Sequence, residues 1–284
     1  NPGLWDYQIE TLKSWAEIVD GFRCDVAPLV PLEFWLRARR EVETVRPGCL
    51  WLAESVEPEF IRDNRNRGMV SHSDCELYQA FDLCYDYDIY GDFLSYVQGK
   101  TELTDYVRAL ERQESIYPAD YAKLRFLENH DRPRMAHLFP ERRTRLNWLC
   151  WMFFQKGTAL LYSGQEWEND HRPDLFDADP IPMEGPAPLE GLIRRLTALK
   201  KDPLFEIGAY SLRACPGDVL TAVWQERREN GKRLTGCFCL RGNPALVPVE
   251  LSDGRYENLL KPGTFLRVES GLLSLDGNPA VLQS

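Results

Sequence analysis

No apolar run in the 284-residue chain approaches the roughly 18 residues that suggest a membrane span, so no membrane partner is expected. Positive charge is the scarcer sign: 34 Lys and Arg stand against 44 Asp and Glu, and the formal charge of -10 repels phosphate backbones. Nucleic acid is therefore set aside as a partner. The four histidines, His72, His130, His137 and His171, show no HExxH spacing, and neither a GxSxG elbow nor a GxGxxG or P-loop occurs. Those absences remove zincin, serine-hydrolase and nucleotide-binding readings. The eight cysteines include no CxxC pair, so neither a zinc ribbon nor a thioredoxin-type site is indicated, and no metal ligands are assigned. Their scatter fits reduced, mostly buried thiols in a cytoplasmic protein, with disulfides as the alternative. Low-complexity tracts are lacking too. At 44% hydrophobic and 12% aromatic, the composition is that of a globular chain able to hold one large domain, or a domain of about 200 residues plus a smaller one.

What is present is alternation. Short apolar runs at 17–25 (EIVDGFRCD), 49–54 (CLWLAE), 80–86 (AFDLCYD), 124–131 (LRFLENHD) and 158–166 (TALLYSGQE) read as buried parallel strands. Helical patterns lie between and after them at 31–44, 102–113, 141–154 and 189–200. The alternation predicts an α/β architecture with a parallel sheet over residues 1–202. After Pro203 the texture changes: runs at 219–226, 233–241 and 248–252 are separated by Gly, Asn, Pro and Asp, without a helix-length pattern between them. A small antiparallel β domain over 203–284 is the expectation. Cys237 and Cys239, two apart in one of its strands, share a face and are expected to pack rather than react.

Charges gather at the ends of the runs. Arg23 and Asp25 share a strand face at the end of the first, Glu54 ends the second, and Asp131 ends the fourth inside the tetrapeptide ENHD. Taken singly, each carboxylate is ordinarily a solvated loop residue or a helix cap, and Arg23 with Asp25 is explained equally well as a structural ion pair. Asp25 and Glu54 lie 29 positions apart, about one strand-helix-strand step, and Asp131 follows 77 positions later, which allows two steps and a long loop. In an α/β barrel the active site draws its groups from the C-terminal ends of several strands. Two or three carboxylates with an arginine suit glycoside hydrolysis, in which one carboxylate attacks the anomeric carbon and a protonated second donates to the leaving oxygen. Arg23 would favour the ionised form of Asp25. The apolar LWLA before Glu54 offers a setting in which desolvation raises that group toward a general acid.

Here the motifs point to a family. GFRCDVA at 21–27 resembles the second signature segment of the α-amylase family of glycoside hydrolases, WLAES the third and FLENHD the fourth. YSGQEWE at 162–168 is similar to the family's segment at the eighth strand, and the trailing β domain matches the usual companion of the barrel. The resemblance covers the whole chain. It implies a partial (β/α)8 TIM barrel, strands four to eight, followed by a small antiparallel β-sandwich. It further implies that Asp25 is the nucleophile, Glu54 the acid and base, and Asp131 the carboxylate that grips sugar hydroxyls in the transition state. Arg23 would orient Asp25, and His130 would bind the same sugar.

The implied function is that of a retaining hydrolase of α-glucosidic bonds in starch, glycogen or maltooligosaccharides. The alternatives are a transglycosidase (glucanotransferase) on the same substrates, distinguished by acceptor geometry, and a noncatalytic sugar-binding relative, against which the three retained carboxylates speak. Two departures stand out. Leu29 occupies a position where members often carry a basic residue or histidine. The first three barrel strands are lacking, since about 200 residues stand where such a barrel takes about 250. The expectation is an N-terminally truncated chain, inactive in isolation and with open sheet edges. No cofactor is evident. Calcium, common in the family, would enter through the missing front part, and no calcium-loop pattern is retained. Tyr85, Tyr87, Tyr90 and Trp167 are open to core packing or to stacking on sugar faces.

Overall fold

The computed structural model describes residues 1–228 and 231–284. Two compact units divide the chain: Asn1–Thr101 with Arg108–Leu124, and Glu102–Val107 with Arg125–Ser284. The first runs α1 (Pro2–Ala16), β1 (Gly21–Cys24), α2 (Leu32–Glu43), β2 (Leu50–Ala53), α3 (Pro58–Asn66), α4 (Asp74–Leu77), β3 (Leu83–Tyr85) and α5 (Tyr90–Val97). Then come α6 (Leu103–Ile116) and β4 (Ala122–Arg125), each carrying residues of both units. The four strands pair in parallel and in chain order, with Gly21 opposite Leu50, Leu52 opposite Leu83, and Leu83 opposite Ala122. Parallel neighbours require a crossover, and the helices supply it. On α2 the buried residues Phe34, Trp35, Ala38 and Val42 recur at helical spacing and face the sheet side. Trp35 meets Phe81 edge-on at 5.2 Å and Trp51 at 6.5 Å. At the start of β1 a side chain on Gly21 would meet the Leu50 carbonyl oxygen at 2.6 Å, so only glycine admits this approach of the two backbones.

The second unit holds α7 (Met135–Leu138), α8 (Arg142–Phe154), β5 (Thr158–Ala159), α9 (Glu190–Lys200) and α10 (Leu204–Ile207). Leu160 N donates to Arg125 O at 2.8 Å, carrying the chain after β5 past the end of β4. The β domain follows: β6 (Ala209–Cys215), β7 (Val219–Gln225), β8 (Arg233–Cys239), β9 (Ala245–Pro248), β10 (Gly254–Glu257), β11 (Phe265–Glu269), β12 (Leu272–Leu275) and β13 (Ala280–Gln283). Two antiparallel four-stranded sheets result, in the orders β13-β8-β7-β6 and β10-β11-β12-β9. Cys237 and Cys239 do pack: both are buried in an apolar cluster with Cys215, Val219, Val247 and Leu273, and burial pushes both thiols up, Cys239 to about 11. The helix α8 is buried along its whole C-terminal half because it is embraced by this domain. Trp151 and Phe154 each lie 5.5 Å from the Phe238 ring, and Trp224 Nε1 donates to Phe154 O at 2.9 Å.

The parallel strand-helix repeat and the trailing antiparallel sheets make up a partial barrel followed by a β domain, as expected. Three details differ. The run at 17–25 yields a strand only from Gly21, because the long helix α1, whose exposed Leu4, Tyr7 and Trp15 blur its amphipathic signal, precedes it. The run at 124–131 is a strand only to Arg125. Beyond that point the Glu128 carboxylate accepts from Arg134 Nη1 at 2.7 Å and Met135 N at 2.5 Å, which turns the chain instead of extending it. In place of 248–252, β9 ends at Pro248, which has no N–H to donate to a ladder. No helix among the described residues is long and apolar enough to cross a membrane.

Candidate active site

β1 ends at Cys24 and β2 at Ala53, so Asp25 and Glu54 are the first residues beyond two neighbouring parallel strands. Glu54 N donates to Cys24 O at 3.0 Å, carrying the ladder one step past the strands. The register pairs Cys24 with Ala53, which sets the two carboxylates side by side. Arg23 forks between them, with Nη1 on Asp25 Oδ1 and Nη2 on Glu54 Oε1, each at 2.5 Å. The guanidinium carbon lies 5.7 Å from the ring centroid of Tyr85, the last residue of β3.

The environments of the two carboxylates differ. The Asp25 side chain is 78% exposed and that of Glu54 only 10%. Burial raises the Glu54 carboxyl above its usual range; the Val26 N–H and Arg23 oppose the rise, and Asp25 adds to it. Val26 N donates to Glu54 Oε2 at 2.8 Å from a left-handed backbone, φ 38° and ψ 45°. A β-branched residue there is strained by roughly 1–3 kcal/mol. The strain aims an N–H at the buried carboxyl, a role no residue-type pattern in GFRCDVA signals.

Asp131 does not end a strand, contrary to the sequence expectation. It lies in the loop beyond β4, where its N–H donates to Asn129 Oδ1 at 2.9 Å and its carbonyl accepts from Arg172 Nη2 at 3.0 Å. His130 Nε2 stands 3.3 Å from Asp131 Oδ2, so these two predicted residues form a pair. The first acid of ENHD, Glu128, is buried on Arg134 and shapes the loop.

The alpha amylase catalytic domain model matches residues 1–179, and the bacterial alpha amylase C-terminal domain model matches residues 212–282. The chain belongs to the α-amylase family. Along its full length it is similar to the solved α-amylase of Lactobacillus plantarum, at 42% identity and TM-score 0.95, and covers 66% of that chain. It is also similar to a noncanonic maltogenic α-amylase of Thermotoga neapolitana, at 29% identity and TM-score 0.81, again covering 66% of that chain. Over 169 residues, 59% of this chain and 23% of the relative, it is 28% identical to α-amylase MalA of Haloarcula japonica. The chain thus spans just under two thirds of these solved relatives and a smaller part of MalA.

Within this α-amylase frame the aromatic candidates sort by burial. Tyr85, Tyr87 and Tyr90 are all buried, with Tyr85 and Tyr87 stacked at 5.7 Å, so they pack rather than offer a face. Trp167 is half-buried, its Nε1 donating to Gly185 O at 3.1 Å. Glu168 is held by Arg142 at 2.9 Å and Arg145 at 3.0 Å. A second group that sequence reasoning missed lies beneath the helices: Lys123 is fully buried between Asp74 and Asp88, its Nζ 2.7 Å from Asp88 Oδ1. Tyr117 OH donates to Asp88 Oδ2 at 2.7 Å, and the ammonium lies 4.6 Å from the Tyr117 ring. Burial pushes Asp74 up to about 6, whereas Asp88, despite its own burial, is drawn below the usual range by Lys123 and its hydrogen bonds.

Proposed function

We propose that this chain carries the catalytic carboxylates of a retaining glycoside hydrolase acting on α-glucosidic bonds of starch or glycogen-type glucans and maltooligosaccharides. The observation that carries the reading is Arg23 forking between an open Asp25 and a shielded Glu54 whose carboxyl is raised. Arg23 pairs with Asp25 and aims it, and Asp25 attacks the anomeric carbon. Glu54, whose carboxyl burial raises, passes a proton to the glycosidic oxygen as the bond to the leaving sugar breaks. The product of this half-reaction is a glycosyl ester on Asp25. Glu54, now a carboxylate, takes a proton from water, whose oxygen attacks the anomeric carbon and releases Asp25. Two inversions leave the α configuration. By the likeness of FLENHD to the family's fourth segment, Asp131 grips the sugar hydroxyls and His130 binds the same ring.

Proton NMR of maltotriose digestion by a protein that carries this chain within a complete barrel, read before mutarotation, tests this: new reducing ends should appear first as the α anomer. Initial release of the β anomer would contradict the double displacement. Oligosaccharides longer than maltotriose appearing ahead of glucose would move the assignment to transfer through the same intermediate.

A further inference from the structure

In the sheet β13-β8-β7-β6, residues directly opposite share a face, as do residues two apart. The register therefore stacks cross-strand rows on one face: Cys215, Val219 and Cys239; then Arg213, Thr221 and Cys237; then Ser211, Val223 and Thr235; then Ala209, Gln225 and Arg233. The cysteine end of this face belongs to the apolar cluster between the sheets. Toward the other end thiols give way to hydroxyls and guanidiniums, and a cavity of about 220 Å³ opens there.

Its polar groups are not all satisfied. Thr235 is 2% exposed, and among the described residues neither its hydroxyl nor the buried Nε of Arg233 has a hydrogen-bond partner. Each such group costs about 1–3 kcal/mol, a penalty that an occupant would remove. Arg233 Nη2 donates to Glu250 Oε2 at 2.7 Å, and Arg213 Nη2 to Pro248 O at 3.0 Å. The Glu250 side chain is 75% exposed and held below its usual range by Arg233, so it guards the cationic pair from the solvent side.

We propose that this cavity binds a tetrahedral oxyanion, free phosphate or the phosphoryl group of a sugar phosphate, through the Arg213 and Arg233 guanidiniums and the Thr235 hydroxyl. Two guanidiniums carry ten N–H donors, far more than one carboxylate and one carbonyl accept, and their planar forks match oxyanion geometry. Thr235 adds an O–H donor. At about 220 Å³ the space falls below the roughly 300 Å³ at which ordinary small-molecule pockets begin, which fits a phosphoryl-sized group and excludes a glucan chain.

The test is calorimetric titration of the whole chain with inorganic phosphate, and in parallel with glucose 6-phosphate, at ionic strength held constant with sodium chloride. Saturable one-to-one binding near or below a millimolar Kd is expected, weakened about tenfold in Arg213→Gln and several-fold in the isosteric Thr235→Val. Glu250→Gln removes a competing carboxylate and should tighten binding, an effect a merely structural cavity would not give. Tighter binding of the sugar phosphate identifies the phosphorylated sugar as the ligand; equal binding identifies free phosphate. Absence of saturable binding, or affinity unchanged in Arg213→Gln and Thr235→Val, overturns the proposal.

Discussion

Arg23 sits between Asp25 and Glu54, and Lys123 between Asp74 and Asp88: the two groups carry the same charges, carboxylate-cation-carboxylate, within one compact unit. Lys123 and Asp74 are out of water and Asp88 is mostly so, with Gln113 and Tyr117 also donating to Asp88. Such a group is held in place by the cost of separating its members, since removing one partner of a buried pair costs about 3–5 kcal/mol. Around Arg23 one carboxylate stands in solvent and the other in shelter, and the exposed pair with Asp25 contributes about 0–1 kcal/mol. Burial, and not residue type, divides a fold-holding group from one left available for chemistry.

The comparison can be broken most sharply at Asp25. In a protein that carries this chain within a complete barrel, Asp25→Asn should lower turnover of soluble starch at least about 1000-fold, ~4 kcal/mol of barrier, with circular dichroism and melting temperature nearly unchanged. Residual activity above about a tenth would remove Asp25 from the nucleophile role. On the buried side, Lys123→Met should cost about 3–5 kcal/mol in urea denaturation, whereas Arg23→Met should cost under about 1 kcal/mol while abolishing activity. Equal losses from the two substitutions would erase the distinction.

A pH series sharpens it further. The folded-state value for Asp74, about 6, lies above its ordinary 3.8, so the folded state binds the proton more tightly. Its contribution to stability is full below about pH 4 and is lost as pH rises through about 6. The stability difference between wild type and Asp74→Asn should therefore fall across that window, read from urea midpoints; a flat difference would mean the carboxyl is not raised. Asp88 shifts the opposite way, and its contribution is lost only as pH falls below the carboxylate range. The smallest effect is expected at Val26→Gly, which keeps the N–H on Glu54 while relieving the left-handed strain. Stability should rise by up to about 1 kcal/mol with turnover within severalfold of wild type; a loss of stability would show that the backbone is unstrained there.

The neighbouring placement of Asp25 and Glu54 was legible because both follow short apolar strands whose register needs only neighbouring parallel pairing. Four of the helices were legible for the same local reason, their periodic apolar faces; α1 was not, because Leu4, Tyr7 and Trp15 lie exposed on it. Asp131 was found by its segment but misplaced on a strand, since the turn after Arg125 depends on Glu128 meeting Arg134 and Met135, contacts that apolar patterning does not encode. Lys123 escaped notice because the run LRFLENHD begins one residue after it, while the strand begins one residue before. Its partners come from α4 and from the turn after β3, 49 and 35 positions away. Val26 escaped because left-handed geometry in a β-branched residue contradicts local preference.

The most direct test of the double displacement at Asp25 is covalent trapping. A protein that carries this chain within a complete barrel would be incubated with a fluorinated α-glucosyl inactivator whose ester turns over slowly, digested with trypsin, and sequenced by tandem mass spectrometry. One glucosyl ester is expected, on Asp25 within the peptide spanning residues 24–37, and none in Asp25→Asn. A label on Glu54, or a hydrolytically active chain that forms no label while releasing the β anomer, would contradict it.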